Sequence, residues 1–287
     1  MAKQYKTLYP VKYYRDYVAH NIRPDGREFD HYRPVILNSD SISNLEGSAI
    51  AKIGKTTVIC GIKAEFCQPK PDKPNEGFLI PNLDLPPLCS PKFKSGPPSD
   101  QAQAATKVID DIITNSECID LTDLCIHKEK LAWCLYTDLI CLDHDGAIID
   151  ASLLALFTAL KNVRLPSVEY DAALDNKIVN LEQWHHLKLH CTPVSSTFAI
   201  FEDVIFMDPT AEEESLCQGI ITVVTKNDKI CSILKPGGAT IAEPNLLDCV
   251  KMSTARSKLL TKLMETASEE SKDEPMYMPP KLEVLSA

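Results

Sequence analysis

Four carboxylates stand within seven residues where an apolar stretch ends, in the segment VIFMDPTAEEES (204–215). Carboxylates at the end of a strand can bind a divalent metal ion that neutralises charge developing on phosphate. They are equally typical of a solvated surface turn, because Pro209 and Thr210 can start a helix and the dipole favours acids in its first turn. Taken alone, the segment allows both interpretations of its acids, which are Asp208, Glu212, Glu213 and Glu214.

The segment DGAIIDAS (145–152) is a second place where chemistry could occur, because a strand-to-helix turn can bind phosphate through its backbone amides. Such turns usually contain several glycines and lie near a cation. This one has a single glycine, no lysine or arginine, and a carboxylate at Asp150 that would repel phosphate. The composition of the turn therefore argues against phosphate binding.

Two histidines, His186 and His190, are four residues apart in WHHLKLHC, a spacing that would suit a metal on a helix. Leu187 and Leu189 alternate with polar residues, however, so the pattern predicts a strand and the helical spacing loses its meaning. The sequence also lacks a G-x-S-x-G motif, a Walker A loop, a G-x-G-x-x-G motif and zinc-ligand spacing. We therefore expect neither a metal site nor a cofactor.

A small basic patch is the one candidate for nucleic-acid binding. In PKFKSG (91–96), Lys92 and Lys94 flank Phe93 in a proline-rich segment. Two lysines beside an aromatic ring can contact an RNA backbone. The alternative is a solvated loop that packs its phenylalanine inward and has no ligand.

The overall charge limits what this patch can do alone. The 287-residue chain has a formal net charge of -10, and only part of that comes from residues 265–287, with six acids against two lysines. A protein that binds nucleic acid unaided usually presents a basic face. Any RNA contact must therefore come from a small patch or from partner chains.

The cysteines and the N-terminus bear on location. Eleven cysteines occur without a C-x-x-C pair, and the first 17 residues are too polar for the apolar core of a signal peptide. No apolar run approaches the ~18 residues that a membrane span requires. These features predict a reduced compartment, cytoplasm or nucleus, and no membrane association.

The elements that must position these residues follow from periodicity and turn signals. The first half predicts a helix (8–20), a hairpin about Gly54-Lys55 (49–66) and an irregular loop (67–98). It then predicts a helix capped by Ser99 or Asp100 (99–116), a strand (130–146) and a buried helix (150–163). The second half predicts short strands, a hairpin about Asn227-Asp228 (219–238) and a closing helix (245–267). This order indicates an α+β fold with two similar halves.

Several segments together resemble a known family. They occur in one order and at matching spacing: RPDGRE (23–28), GSAIAKIGKTTVICGIKAE (47–65), NLDLPPLCSPKFKSGPPSDQAQ (82–103), KLAWCLYTDLICLDHDGAIIDASLLALFTALKN (130–162), MDPTAEEE (207–214) and KPGG (235–238). The chain resembles, over about residues 10–265, the RNase PH-like subunits of the eukaryotic RNA exosome ring, and among them the class regarded as catalytically inert. The resemblance implies an RNase PH-type domain of two β-α-β-like halves, similar to the second domain of ribosomal protein S five. It implies one domain over 1–267 with an N-terminal helical extension, followed by an acidic, disordered tail (268–287).

The resemblance also gives an interpretation of the acids. Active relatives are phosphorolytic exoribonucleases whose strand-to-helix turn carries Gly-Thr-Arg, where this chain has Ala147, Ile148 and Ile149. Their preceding helix carries arginines, where this chain offers Lys107 beside Asp110 and Asp111. The acidic pair is kept in part, since Asp208 and Glu214 have the same six-residue separation. The chain thus keeps a possible metal-facing half and lacks an anion-binding half, so we expect no catalytic residues and acids that are solvated, capped or paired.

The function implied is a non-catalytic subunit of the exosome ring that supports 3′-to-5′ RNA processing and decay. Its partners would be other RNase PH-like ring subunits, S1/KH cap subunits and RNA passing through the channel, in nucleus, nucleolus and cytoplasm. The alternative is a composite phosphorolytic exoribonuclease, in which Asp208 and Glu214 act with a partner's arginines. A third interpretation is an adaptor that captures particular RNAs, such as AU-rich ones, which the net charge disfavours.

Overall fold

The computed structural model describes residues 2–171, 176–202, 204–269 and 276–278. Its helices are α1 Ala2–Leu8, α2 Pro10–Val18, α3 Asp100–Ser116, α4 Ile148–Lys161, α5 Ala211–Leu216 and α6 Glu243–Glu269. Its strands are β1 Val35–Ser39, β2 Gly47–Ile53, β3 Thr56–Cys67, β4 Phe78–Asp84, β5 Cys125–His127, β6 Leu131–Asp143, β7 Arg164–Asp171, β8 Asn176–His186, β9 Val194–Phe201, β10 Val204–Met207, β11 Gly219–Lys226, β12 Lys229–Leu234 and β13 Met276–Met278. No helix in this described part is long and apolar enough to cross a membrane.

The first half forms a mixed sheet with the order β13-β1-β2-β3-β6-β4, in which β5 also pairs with β6. All pairs are antiparallel except β4 with β6, which is parallel. The hairpin β2–β3 turns at Gly54, whose φ of +59 requires the left-handed backbone that glycine adopts freely. The predicted hairpin about Gly54-Lys55 is confirmed.

The second half forms a separate antiparallel sheet with the order β10-β9-β11-β12. Its hairpin β11–β12 turns through Asn227 and Asp228, which both have positive φ. Asn and Asp tolerate that conformation, and turns of this kind match the twist of the flanking strands. This predicted hairpin is also confirmed. The strands β7 and β8 pair with each other in a third, two-stranded unit.

Helix α4 lies between the two sheets. Every residue from Ala151 to Leu160 is buried, because the helix contacts β2 and β3 on one side and β9 on the other. Helix α6 packs on β9 and β11 and also contacts α4 and β1. The N-terminus of α4 therefore lies at the boundary between the two halves of the molecule.

The prediction of an irregular loop over 67–98 was wrong in its centre, where β4 runs parallel to β6. Within the described sheet β4 is an edge strand, and an edge strand tolerates Pro81, which lacks the backbone donor that an interior strand requires. The strand predicted around WHHLKLHC ends at His186, and Leu189 forms only an isolated bridge with Ile119.

The predicted disordered tail (268–287) overlaps the described residues in two places. Residues 268 and 269 end α6, and Met276–Met278 pairs antiparallel with β1 in the register Val35 to Met278. The other residues of the tail lie outside the described part of the chain. At the other end, α1 and α2 precede the first sheet.

Candidate functional site

Asp208 follows β10 and is fully buried. Its carboxylate accepts hydrogen bonds from the backbone amide of Arg33 at 2.8 Å, from Nε at 2.9 Å and from Nη2 at 2.7 Å. Arg27 lies 3.6 Å from the same carboxylate. Burial opposes ionisation, but the charge and hydrogen bonds of Arg33, with Arg256 and Arg27, outweigh it and hold the pKa of Asp208 well below its usual range.

Arg33 also connects Asp208 to the turn between β6 and α4. Its Nη1 donates to the carbonyl of Asp145 at 2.6 Å. The hydroxyl of Thr56 donates to the next carbonyl, that of Gly146, at 2.8 Å. The acidic segment and the strand-to-helix turn are thus parts of one network of contacts.

Two of the other acids hold the start of α5. The side chain of Glu213 accepts from the backbone amide of Thr210 at 2.8 Å while the Thr210 hydroxyl accepts from the amide of Glu213, which is a capping box. Glu213 is buried and lies 3.6 Å from the guanidinium of Arg23, whose pKa burial lowers to about 10. Glu212 is exposed and accepts a hydrogen bond from Tyr14 at 3.2 Å.

Glu214 reaches the N-terminus of α4. Its Oε1 accepts the backbone amide of Ala147 at 2.7 Å, immediately before the helix begins. Burial raises the pKa of Glu214 to about 7, against the opposing effects of that amide and of Arg33. The position where a helix N-terminus could bind an anion is therefore occupied by a side chain of the same protein.

Asp150, in the first turn of α4, forms a second buried centre beside the first one, which is formed by Asp208 and Arg33. It accepts from Arg256 Nη1 at 2.9 Å, from the Ser195 hydroxyl at 2.7 Å, and from both the amide and the hydroxyl of Thr197. The guanidinium of Arg256 lies 4.0 Å from the ring centre of Tyr32. The Asp150 carboxylate joins α4 to β9 and α6, and it is not directed at a ligand in the turn.

The expectation that the acids are solvated, capped or paired is met, since Glu213 and Glu214 cap helix starts and Asp208 pairs with Arg33. The expectation of an acidic cluster without neighbouring cations was wrong, because arginines lie beside it. Sequence reasoning missed the buried or half-buried arginines that surround them, which are Arg23, Arg27, Arg33 and Arg256. The available signal was three arginines within RPDGREFDHYR (23–33), of which only RPDGRE (23–28) was used above, as a motif of the family resemblance.

The hydrogen bonds that the Asp208 carboxylate already accepts limit its ability to bind a metal ion. Divalent metal ions require several free carboxylate oxygens, and both oxygens of Asp208 already accept from Arg33. Within the described residues, one group could offer a metal three ligand atoms within 4.8 Å of one another, formed by Glu28, Asp30 and His31. Both of its acids are exposed, and it includes none of the acids in the two buried centres.

The predicted basic patch lies on the surface loop between β4 and α3. Lys92 and Lys94 are exposed, while Phe93 is buried and contacts the ring of His144 edge to face at 5.6 Å. The backbone amide of His144 donates to Cys89, which ties this loop to the end of β6. The phenylalanine packs inward, and the RNA contact of the two lysines remains a prediction.

On α3, Lys107 pairs with Asp110 at 3.0 Å and with Asp111 at 2.9 Å. Its charge is thereby offset by neighbours on the same helix. The histidines of WHHLKLHC do not share a helix, since His186 ends β8 and His190 follows the isolated bridge at Leu189. The rejection of helical metal spacing for these two residues is consistent with this geometry.

Comparison with known proteins identifies the two halves. Residues 31–166 match domain 1 of the 3′ exoribonuclease family (RNase PH), and residues 191–256 match domain 2. The chain belongs to the RNase PH family. The resemblance found in the sequence motifs and the RNase PH-type α+β fold are confirmed.

Individual relatives of this RNase PH family member are exosome proteins. The chain is 39% identical to "Exosome complex component rrp43" of Schizosaccharomyces pombe over 88% of its own length and 94% of that protein. Its fold matches a chain of the Archaeoglobus fulgidus exosome with RNA bound to the active site, with a TM-score of 0.79 and 33% identity over 88% of this chain and 96% of that one. It also matches a chain of an archaeal exosome core, with a TM-score of 0.76 and 30% identity over 94% of this chain and 100% of that one.

The acid network joins the two RNase PH domains. Arg33, Ala147 and Asp150 lie within the domain 1 match, and their partners Asp208, Glu214 and Arg256 lie within or at the end of the domain 2 match. The geometry therefore assigns to these acids the task of holding the domains together.

Proposed function

We propose that this chain is a non-catalytic structural subunit of an RNA exosome ring, which supports 3′-to-5′ RNA processing and degradation by scaffolding the ring and lining its RNA channel. Membership in the RNase PH family and similarity to exosome complex components over most of both chains support the assembly. The non-catalytic role rests on the site itself.

The observation that carries the proposal is the contact between Glu214 and the amide of Ala147 at 2.7 Å. Phosphorolysis brings inorganic phosphate and a phosphodiester together, so the site must bind anions before the reaction can begin. The carboxyl group of Glu214 at the start of α4 occupies the backbone donor that could serve this purpose, and its ionised form repels phosphate.

The second supporting observation is that two of the nearby cations, Arg33 and Arg256, are paired with buried carboxylates. Arg33 donates to Asp208 and to the carbonyl of Asp145, and Arg256 donates to Asp150. Both guanidinium groups are buried, so moving either one away from its carboxylate would leave a buried charge without a counter-ion. If a partner subunit supplied further arginines, both carboxylate oxygens of Asp208 would still be accepting hydrogen bonds from Arg33.

The expected partners are RNase PH-like ring neighbours, S1/KH cap subunits and RNA in the assembled channel, and the expected locations are nucleus, nucleolus and cytoplasm. The chain, with a net charge of -10, suits a subunit that supplies interfaces while neighbours supply most of the positive charge that RNA requires.

Reconstitution tests the scaffolding role. The full chain is co-expressed with RNase PH-like subunits from the same organism, and the mass of the complex is measured with and without it. We expect a closed ring that contains one copy of this chain and that does not form in its absence. A closed ring of the same size formed by the other subunits alone would overturn the proposal.

A further inference from the structure

Two adjoining clefts of about 630 and 360 Å³ lie between β4 and α3 and share Leu79 and Asp110 in their linings. We refer to the larger one as the α3 cleft. Its lining includes none of the acids or arginines of the two buried centres described above. The cleft is therefore a separate surface with its own chemistry.

The α3 cleft combines an apolar lining with a rim of carboxylates. Leu79, Ile113 and Ile119 contribute apolar side chains, and Glu117 and Asp120 are exposed. An apolar surface beside like charges is suited to a ligand that is both apolar and of opposite sign.

The two lysines of the lining, Lys73 and Lys226, are outnumbered by its four acids, which are Glu76, Asp110, Glu117 and Asp120. Lys73 pairs with Glu76 at 2.8 Å, and Lys226 donates to the carbonyl of Ser116 at the end of α3. By contrast, neither Glu117 nor Asp120 has a lysine or arginine within ion-pair distance among the residues that the structure describes. The charge presented to a ligand is therefore negative.

Glu117 departs from two local preferences at the end of α3. Its φ of 47 lies in the left-handed region, where glycine or asparagine is usual at a helix C-terminus. A carboxylate there also meets the negative end of the helix dipole. Local departures of this kind are expected at functional positions, where the stability lost is offset by an interaction made elsewhere.

We infer that the α3 cleft binds an extended segment of a partner protein in which arginine or lysine alternates with large apolar residues. The apolar side chains contact Leu79 and Ile113, and the cations meet Glu117 and Asp120. RNA is disfavoured because its phosphates would face the same carboxylates. This inference goes beyond the proposed ring function, which rests on the family match and on the acids beside α4.

Recognition at the α3 cleft relies on side chains and not on an added strand. On β4, Pro81 lacks a backbone donor, and the amide of Leu83 already donates to the hydroxyl of Thr106 at 3.0 Å. An extended segment therefore cannot form a regular hydrogen-bonded ladder with this edge.

The test uses the full chain and a fluorescein-labelled peptide of alternating arginine and leucine, with binding followed by fluorescence anisotropy. The double variant Glu117→Gln/Asp120→Asn removes two charges, and asparagine can still cap the turn that Asp120 starts. Its matched control is Glu243→Gln/Glu265→Gln, which removes two exposed charges from α6. A second peptide replaces each leucine by serine.

We expect the double variant to bind the peptide about tenfold more weakly while the α6 control changes less than about twofold. We also expect the serine peptide to bind poorly to every variant, because the apolar contacts are lost. Equal losses in both variants would mean that binding follows net charge alone, and would overturn the inference. Protection of amides 113–121 from hydrogen exchange by single-stranded RNA and not by the peptide would overturn it as well.

Discussion

The Asp208 carboxylate accepts three hydrogen bonds from Arg33, and both groups are buried. A buried ion pair often adds little compared with apolar residues of the same shape, but removing one partner leaves the other charge buried and unpaired. The two residues are 175 positions apart in sequence, so their pairing fixes the position of the second half relative to the first.

The substitution Asp208→Asn should therefore lower the free energy of unfolding by about 3–5 kcal/mol, because Arg33 would remain buried without its counter-ion. Urea unfolding followed by circular dichroism measures the change. Glu212→Gln is the matched control in the same turn, and as an exposed acid it should cost no more than about 1 kcal/mol. Equal small losses for the two variants would mean that the Asp208 pair does not hold the domains.

Glu214 gives a prediction for pH, because burial raises its pKa from 4.5 to about 7. The folded chain then binds the proton more tightly than the unfolded chain, so stability falls as pH rises from about 4.5 to about 7 and is level above that range. The shift corresponds to about 3 kcal/mol at ~1.4 kcal/mol per pKa unit. Glu214→Gln keeps an acceptor for the Ala147 amide and should lack this decline.

Unfolding free energies of the wild-type chain and Glu214→Gln at pH 5 and pH 8 provide the measurement. The difference between the two proteins isolates Glu214 from the other titrating groups. The same dependence on pH in both proteins would show that the Glu214 carboxyl group is not enclosed at the start of α4.

At the scale of elements, the turn between β6 and α4 depends on close backbone approach. Gly146 has a φ of +80, and a Cβ there would lie 2.4 Å from the carbonyl oxygen of Pro209. The next residue, Ala147, is also left-handed, with a φ of 50. The two neighbours thus share a backbone conformation but differ in the space around them.

We expect Gly146→Ala to lower the free energy of unfolding by at least about 2 kcal/mol, since it adds both strain and a clash with backbone. Ala147→Gly is the matched control at the next position. It should leave stability unchanged or raise it by up to about 1 kcal/mol, because glycine adopts positive φ more readily than alanine. Thermal unfolding of both variants tests the pair, and similar losses would contradict the tight packing of this turn.

Elements whose signals are local could be predicted from the sequence. Ser99 caps α3 by accepting from the amide of Ala102, and both hairpins turn at the residues expected. Strand β4 was missed because its proline lies among many others, and only the position of the strand at a sheet edge makes Pro81 acceptable. The arginine network was missed because it joins residues far apart, which no local pattern reveals.

At the scale of the whole molecule, the RNase PH fold was predictable because many short motifs occur together in order. Whether the acids bind a metal ion or pair with arginine was not predictable, because the same acids at the same spacing can do either. What decides between them is the approach of Arg33 and the contact of Glu214 with Ala147, which are tertiary contacts. The lack of lysine and arginine in the turn 145–152 was visible in the sequence, but the contact of Glu214 with the Ala147 amide in that turn was not.

The basic patch is also tested in the complete assembly. Lys92→Glu/Lys94→Glu should reduce the RNA protected from nuclease by a reconstituted ring about fivefold, because phosphate contacts are replaced by repulsion. Lys128→Glu/Lys130→Glu is the matched control, with the same spacing and exposed side chains. Equal protection in the wild-type ring and the first variant would remove these two lysines from the RNA path.

Phosphorolysis is the most direct test of the non-catalytic role. The purified chain, alone and in its reconstituted ring, is given labelled single-stranded RNA with phosphate and Mg²⁺, beside an active RNase PH family member as positive control. We predict no release of nucleoside diphosphate that depends on this chain. Phosphate-dependent release that requires this chain and is lost with Glu214→Gln, a variant that keeps the contact to α4, would mean that the acids form part of a working site.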